Sequence, residues 1–409
     1  MKTYLYLLSL SAVAFISCRN IGTQPPEPNP IVKDLTPLEK TVVASDNSFG
    51  FELFARLNES AQNQNVFISP FSVSMALGMA LDGADGATLD SMKQALGQSG
   101  LTMQEINGSY KDIRSFLTNL DPNVTMNIAN SVWSRNGFPI LASFLSDCQT
   151  YFDAEATSLD FSSPDAVQTI NNWVNTKTNG KIPTIIDQIP SEVVLYLINA
   201  IYFKGTWTYQ FDPANTTDTT FASPAGSTPC KLMTMHARFA YRETGAEQVV
   251  DLPYGAGQFS MTVILPSSGT SIDQYAASLT QEKWDALMNN LDSASIDLSL
   301  PKFNLEYEKT LNDELSALGM GVAFTDDADF SRISPIPLKI SEVKHKTYVE
   351  VNEEGTEAAA VTFVGFIPTA VISPSGMRID HPFIVAIREH ATGTILFLGK
   401  IVSPPDTQQ

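Results

Sequence analysis

The segment spanning residues 349–382 constrains the fold more than any other part of this 409-residue chain. If residues 356–363 form a strand, alternate side chains point to opposite faces of it. One face then carries only small side chains, those of Thr356, Ala358, Ala360 and Thr362. Such a strand can slide between two existing strands without a steric clash. An ordinary edge strand followed by a long connection is the alternative interpretation.

The residues that follow this strand predict an exposed loop. Residues 366–375 are apolar and small, and Pro368 and Pro374 prevent regular pairing with another strand. An exposed apolar loop of this length is uncommon unless it has a function. We therefore expect the loop to take part in what the protein does.

The rest of the chain mixes helices and strands without the regular alternation of a doubly wound parallel sheet. Apolar residues at helical spacing follow Pro70, precede Gly97 and follow Pro139. They recur in residues 164–178 and 311–318.

The strand patterns are of three kinds. Residues 193–203 are almost continuously apolar, which predicts a strand covered on both faces. Residues 259–265 and 296–300 alternate, which predicts strands with one buried face. Residues 383–387 and 394–402 predict a hairpin. Together with the helices, these patterns predict a mixed α+β single domain with more than one sheet.

The sequence offers no pattern typical of an enzyme. No H-E-x-x-H motif and no G-x-S-x-G motif occurs, and no two histidines have the spacing of metal ligands on a helix. We therefore predict no catalytic residues, no metal site and no cofactor. The net charge of −19, from 25 basic and 44 acidic residues, argues against nucleic acid as a partner.

The N-terminal residues predict export. Lys2 and the apolar residues 4–16 are typical of a signal peptide and are too short to span a membrane as a helix. Ser17 and Cys18 resemble the end of a bacterial lipoprotein signal, which is cleaved before the cysteine and lipidated there. Phe15 and Ile16 depart from that pattern, so ordinary secretion is the alternative.

Three segments of the chain follow from this interpretation. Residues 1–17 form the signal peptide, residues 18–37 a proline-rich tether, and residues 38–409 the folded domain. We expect a lipid on Cys18 to anchor the protein to a bacterial envelope membrane, facing the periplasm or the exterior. The membrane would then be contacted only through this lipid.

Six blocks of sequence resemble the serpin family, in serpin order. The segment VEVNEEGTEAAAVT at residues 349–362 is similar to the serpin hinge. The other five blocks lie at residues 65–77, 170–182, 197–207, 298–307 and 381–404. The resemblance covers the chain from about residue 40 to its end. It implies a monomeric serpin domain with three β-sheets, about nine helices and an exposed reactive-centre loop at about residues 353–378.

The resemblance also implies a mechanism, in which a protease cleaves the loop and the loop then inserts into the central sheet and traps the acylated protease. The hinge of this movement would comprise Glu354, Gly355, Thr356, Glu357, Ala358, Ala359 and Ala360. Counting Gly355 as the fifteenth residue before the cut places the scissile bond at Thr369–Ala370. Phe366, Ile367 and Val371 are neighbouring alternatives.

Further residues acquire roles from the same resemblance. A polar cluster would form a gate under the central sheet, comprising Ser69, Ser72, Asn199 and His345. Trp207 matches a tryptophan at the top of the sheet, where insertion begins. The small residues of the hinge favour an inhibitor over a non-inhibitory serpin-fold binding protein, which is the alternative.

The loop sequence indicates the class of target protease. Neither arginine nor lysine occurs between Lys346 and Arg378, which argues against a trypsin-like protease, whose specificity pocket requires a cation. Small and medium apolar side chains at the cut favour an elastase-like or subtilisin-like serine protease. A papain-like cysteine protease is the second choice, and Phe366 leaves a chymotrypsin-like protease open.

Overall fold

A computed structural model describes residues 34–118, 120–356 and 375–405 of the chain. These residues contain nine α-helices, which agrees with the predicted number. In chain order they are α1 (Pro37–Ser60), α2 (Pro70–Gly83), α3 (Gly86–Ala95), α4 (Met103–Leu117), α5 (Ala142–Phe152), α6 (Asp165–Lys177), α7 (Ile272–Ala277), α8 (Gln281–Met288) and α9 (Asn312–Leu315). Short 3-10 or π turns lie at Pro213–Asn215, Ser316–Met320 and Gly321–Phe324.

The same residues contain fifteen strands. They are β1 (Val66–Ile68), β2 (Val124–Arg135), β3 (Glu155–Leu159), β4 (Leu195–Thr206), β5 (Thr217–Ser223), β6 (Gly226–Glu243), β7 (Glu247–Tyr254), β8 (Phe259–Pro266), β9 (Asp292–Pro301), β10 (Phe303–Thr310), β11 (Lys344–Val351), β12 (Gly355–Thr356), β13 (Ser375–Arg378), β14 (Phe383–Glu389) and β15 (Ile395–Ile401).

Two hydrogen-bonded sheets contain these strands. The six-stranded sheet has the order β10-β11-β12-β4-β2-β3. The nine-stranded sheet has the order β1-β15-β14-β8-β7-β6-β9-β13, with β5 paired to β6. The long strand β6 divides this sheet into two groups of strands. One group contains β1, β15, β14, β8 and β7, and the other contains β5, β9 and β13. These two groups and the six-stranded sheet are the three sheets expected. The predicted α+β fold class is confirmed.

The predicted helices and the predicted hairpin are present. The helix α2 begins at Pro70, where the Ser69 side chain accepts a hydrogen bond from the backbone N–H of Ser72. The strands β14 and β15 pair in antiparallel fashion. None of the helices in the described residues combines the length and the apolar composition that a membrane crossing requires.

Two strand predictions were wrong about burial. All residues of β8 are buried, although their alternation predicted a single dry face. The alternate positions are covered as well, because this sheet is packed on both sides. Conversely, β4 was expected to be covered throughout, yet its residues 195–197 are half-buried, because they line a cavity.

The buried apolar side chains form two separate clusters. The larger one extends through most of the molecule. The smaller one lies where α6 packs against β2 and β4, and its members are Trp133, Phe161, Ile170, Val174, Ile182, Ile186, Val193, Ile198 and Ala200. The helix α6 therefore covers the six-stranded sheet through a core of its own.

Candidate functional site in the six-stranded sheet

The short strand β12 lies between β4 and β11 at one end of the six-stranded sheet. We call this the upper end; it is where β4 ends at Thr206 and β11 ends at Val351. Thr356 is opposite Val351 of β11 and opposite Gly205 of β4, and both pairings are antiparallel. The strands β4 and β11 therefore run parallel to each other. Among the described residues, no pairing joins β4 directly to β11.

Gly355 is required by the close approach of β12 to β4. A Cβ atom at this position would lie 2.0 Å from the carbonyl oxygen of Gly205 and 2.8 Å from the Cα atom of Thr206. Atoms cannot approach so closely, and backbone atoms cannot move aside as a flexible side chain can. Only glycine therefore fits at position 355 while β12 is in the sheet.

The side chain of Thr356 is held from the nine-stranded sheet. Its hydroxyl group shares a hydrogen bond of 2.6 Å with the hydroxyl group of Tyr254, and the bond is buried. The ring of Tyr254 stacks on Trp207, with a centroid distance of 4.4 Å and an angle of 11° between the planes. Burial raises the pKa of Tyr254 well above its ordinary value, so this hydroxyl stays protonated.

Trp207 also fixes the turn that leads into β12. Its ring nitrogen Nε1 donates to the carbonyl oxygen of Asn352 over 2.9 Å. Its backbone N–H donates to the carbonyl oxygen of Glu354 over 2.8 Å. Within the turn, Asn352 Oδ1 accepts from the backbone N–H groups of Glu354 and Gly355. Trp207 thus lies beside the upper end of the sheet and contacts the turn that leads into β12.

An ion pair lies at the same end. Lys302 Nζ is 2.7 Å from Glu353 Oε2, and the hydroxyl group of Thr216 donates to Glu353 Oε1 over 2.8 Å. Burial acts to raise the pKa of Glu353, but the hydrogen bonds from Lys302 and Thr216 outweigh it and hold this pKa below its usual value. The carboxylate therefore stays ionised and links the hinge turn to residues outside it.

A cavity of about 510 Å³ lies below β12, between β4 and β11. One side is formed by residues 192–199 and the other by residues 337–346, and α2 contributes Val73, Ala76 and Leu77. The lining is mostly apolar, with Asn199 and His345 at opposite sides. Its lining ends at Asn199 of β4 and Lys346 of β11, several residues before the positions that pair with β12. The cavity therefore lies further along the gap between these two strands, toward the other end of the sheet.

The four predicted gate residues form one hydrogen-bonded cluster, and three of them, Ser72, Asn199 and His345, also line this cavity. Nε2 of His345 accepts a hydrogen bond from the backbone N–H of Ser69 over 3.0 Å. The hydroxyl group of Ser69 accepts from the backbone N–H of Ser72, and the hydroxyl group of Ser72 donates to Asn199 Oδ1. The cluster thus connects β11, through α2, to β4.

Asn130, which no sequence pattern indicated, extends this cluster. Asn199 Nδ2 donates to Asn130 Oδ1, and Asn130 Nδ2 donates to the carbonyl oxygen of Phe152. His345 is fully enclosed, and burial lowers its pKa to about 4. Its imidazole is therefore neutral at physiological pH, as an acceptor of the Ser69 N–H must be.

Several predicted residues lie outside the part of the chain that the structure describes. They are Cys18, Glu357, Ala358, Ala359, Ala360, Phe366, Ile367, Thr369, Ala370 and Val371. The roles assigned to these residues remain predictions. In the described part of the chain, no group of three or more His, Cys, Asp or Glu side chains is arranged to hold a metal ion.

Sequence reasoning missed three contributors to the site: Tyr254, Asn130 and the pair of Lys302 with Glu353. Tyr254 is 102 residues away from Thr356 in the chain. Lys302 and Glu353 are 51 residues apart. The partners in each pair are too far apart in the chain for any local sequence pattern to show that they meet.

Comparison with known proteins supplies an independent observation. A family model described as "Serpin (serine protease inhibitor)" matches residues 44–404. Pig leukocyte elastase inhibitor (Sus scrofa) is 36% identical over 376 residues, which cover 88% of this chain and 99% of that protein.

Two solved structures are similar as well. The native state of the thermophilic serpin tengpin has a TM-score of 0.83 at 33% identity and covers 92% of this chain and 97% of that one. Human thyroxine-binding globulin in complex with thyroxine has a TM-score of 0.82 at 28% identity, and the match covers 90% of this chain and 99% of that one.

Proposed function

This chain belongs to the serpin family, and on that premise we propose that it inhibits proteases by acting as a suicide substrate. The nucleophile of the target protease attacks the carbonyl carbon of Thr369. The amide bond to Ala370 breaks, the new amino terminus leaves, and an ester or thioester to the protease forms. The freed loop then inserts between β4 and β11, which distorts the protease before water can hydrolyse the acyl bond.

The observation that carries this proposal is the position of Thr356. It already lies between β4 and β11, paired with both, and the cavity of about 510 Å³ lies further along the gap between these two strands. Residues 357–362 follow with the small face seen in the sequence. Insertion therefore extends a strand that has already begun, and the polar cluster of Ser69, Ser72, Asn199 and His345 would act as the gate on its path.

The energies are compatible with this mechanism. About ten newly paired residues, at roughly 1 kcal/mol net per hydrogen bond, would contribute on the order of 10 kcal/mol before apolar burial. Loss of one oxyanion-hole donor costs a protease about 3–4 kcal/mol of transition-state stabilisation. Insertion can therefore outweigh the interactions that hold the protease's catalytic geometry. The uninserted fold must then be kinetically rather than thermodynamically stable.

The loop sequence supports an elastase-like or subtilisin-like serine protease as the target, with a papain-like cysteine protease as the second choice. The similarity to pig leukocyte elastase inhibitor favours the elastase-like class. The similarity to thyroxine-binding globulin in complex with thyroxine supports a second candidate function, that of a non-inhibitory binding protein of the same fold.

Incubation with pancreatic elastase, followed by denaturing gel electrophoresis, tests the proposal. An inhibitor forms an adduct that resists denaturation, and mass spectrometry of the released peptide identifies the scissile bond. Complete cleavage without an adduct would contradict inhibition and favour the binding protein. Thr356→Arg should convert the inhibitor into a substrate, because a charged guanidinium cannot replace a side chain that is 2% exposed. Thr356→Ser, which keeps the small hydroxyl, is the matched control.

The proposed location is the bacterial envelope, with a lipid on Cys18 after export. The support is the sequence of residues 1–18 alone. Expression of the full chain in bacteria fed with labelled palmitate would test it. The wild type should carry the label and sediment with membranes, whereas Cys18→Ser should not. An unlabelled, released wild-type protein would favour ordinary secretion.

A further inference from the structure

We propose that Tyr254 is a positioning residue that holds Thr356 between β4 and β11 before the loop is cleaved. This inference rests on the proposed function, since its consequence is the fate of the acylated protease. Because Thr356 is already paired in the sheet, insertion of the loop can proceed from it. Tyr254 determines how long Thr356 stays in this position.

The hydrogen bond between the hydroxyl groups of Tyr254 and Thr356, which we call the latch, is short and buried. They are 2.6 Å apart, and both residues are almost completely buried. A hydroxyl group can both donate and accept, so each satisfies the other in a place that water does not reach. If Thr356 leaves the sheet, the hydroxyl group of Tyr254 remains buried without this partner, which is costly.

The ring of Tyr254 is held rigidly, so its hydroxyl group cannot follow a moving hinge. Trp207 stacks on one side of the ring, and Phe203 contacts it edge-on at a centroid distance of 5.1 Å. Gly205 leaves just enough room, because a Cβ atom there would lie 2.9 Å from Tyr254 Cδ1. Tyr254 ends β7 of the nine-stranded sheet, so one sheet holds the hinge in the other.

The latch acts on the competition between two fates of the acyl-enzyme. Insertion traps the protease, whereas hydrolysis by water releases it and consumes the inhibitor. The first pair of an inserting strand is the hardest to form, because its entropic cost precedes the gain from later pairs. By keeping Thr356 paired with β4 and β11, Tyr254 favours trapping of the protease over its release. It also restricts position 356 to side chains that carry a small hydroxyl group.

Hydrogen exchange of the intact, uncleaved protein tests the latch without a protease. Tyr254→Phe and Thr356→Val each remove one hydroxyl group and leave the shape nearly unchanged. Each should speed exchange of the amides of Gly355 and Thr356 about tenfold, since one buried hydrogen bond is lost. The double variant should exchange no faster than either single variant, because both changes remove the same bond.

Two variants control for general effects of losing a hydroxyl group. Tyr275→Phe removes a tyrosine hydroxyl group that donates to Glu247, away from the hinge, and should leave exchange at Gly355 and Thr356 at the wild-type rate. Thr356→Ser keeps the hydroxyl group and should restore slow exchange. Wild-type exchange in Tyr254→Phe, or additive effects in the double variant, would overturn the proposal.

A second readout separates the latch from the proposed function. With elastase, Tyr254→Phe should consume several times more inhibitor molecules per trapped protease, while the rate of the first cleavage does not fall. An unchanged ratio would overturn the proposed consequence of the latch. If the wild-type protein itself traps no protease, the proposed function fails, and the exchange measurements still decide whether Tyr254 holds Thr356.

Discussion

His345 accepts a hydrogen bond through Nε2 from the backbone N–H of Ser69, 3.0 Å away, and both residues are buried. The bond connects β11 to the first residue before α2, beside the cavity. It exists only while the imidazole is neutral, because a protonated imidazole has no acceptor. Protonation of His345 would therefore break this contact between β11 and the start of α2.

The pH dependence of stability should report this bond. Burial lowers the pKa of His345 from 6.5 to about 4 in the folded protein, so the unfolded chain binds the extra proton first as the pH falls. The contribution of neutral His345 is complete above pH 6.5 and is lost as the pH falls toward 4. This loss amounts to about 3 kcal/mol. Urea denaturation between pH 4 and 8, compared with His345→Gln, would measure it.

The comparison with His345→Gln is necessary because two buried carboxyl groups oppose the effect. Burial raises the pKa of Asp46 to about 7 and that of Asp82 to about 6. Between pH 3.8 and these raised pKa values, the folded protein keeps both protons and the unfolded chain has lost them. The free energy of unfolding therefore falls as the pH rises through this range. The difference between wild type and variant cancels this background. A difference that does not change with pH would contradict a neutral, buried His345.

Asn130→Ala should lower the free energy of unfolding by about 2 kcal/mol. The substitution removes the bond to the carbonyl oxygen of Phe152 and leaves Asn199 Nδ2 without its acceptor. The urea midpoint measures the change. Asn123→Ala is the control, because Asn123 is exposed and should change stability by less than about 0.5 kcal/mol. Equal effects of the two substitutions would contradict a linked polar cluster.

Glu353→Gln should destabilise the upper end of the six-stranded sheet by about 2 kcal/mol. The carboxylate side chain is 11% exposed and Lys302 is 21% exposed, so loss of one charge leaves the other poorly solvated. We expect earlier aggregation on heating, measured by light scattering. The exchanged pair Glu353→Lys with Lys302→Glu should recover part of the loss. No recovery would show that the geometry, rather than the opposite charges, is what matters.

Gly355→Ala should impair trapping of the protease severely. A Cβ atom 2.0 Å from the carbonyl oxygen of Gly205 excludes residue 355 from its place beside β4, before and after insertion. We expect about tenfold more inhibitor to be consumed per trapped protease. Gly376→Ala is a matched control at the other end of the loop, since its nearest contact would be an ordinary 3.8 Å. Wild-type behaviour of Gly355→Ala would rule out β12 as part of the mechanism.

The sequence predicted the centre of the site because its signal is local. The small alternate residues after Gly355 predicted a strand entering a sheet. Of these residues the structure describes only Thr356, which lies between β4 and β11, and the rest of the strand stays a prediction. The resemblance to serpins grouped Ser69, Ser72, Asn199 and His345 in one polar cluster. Which of them contact each other, Ser69 with His345 and Ser72 with Asn199, is known only from the structure.

The rest of the site depends on contacts between distant segments. Tyr254 is the last residue of β7, and the sequence pattern of β7 predicts only its place in the nine-stranded sheet. Nothing in that pattern indicates that the hydroxyl group of Tyr254 meets Thr356. The burial of both faces of β8 escaped prediction for a similar reason. An alternating pattern predicts one apolar face, but it cannot show that Ser260 and Thr262 on the other face bond to a buried carboxylate, Asp251.

The helix α6 rests on a cluster of buried side chains that is separate from the main one. A separation of α6 from β2 and β4 would therefore expose the smaller cluster and leave the larger one covered. A widening of the sheet beneath α6 would thus disturb mainly the smaller cluster. Two independent interiors allow one region to be remodelled while the other preserves the fold.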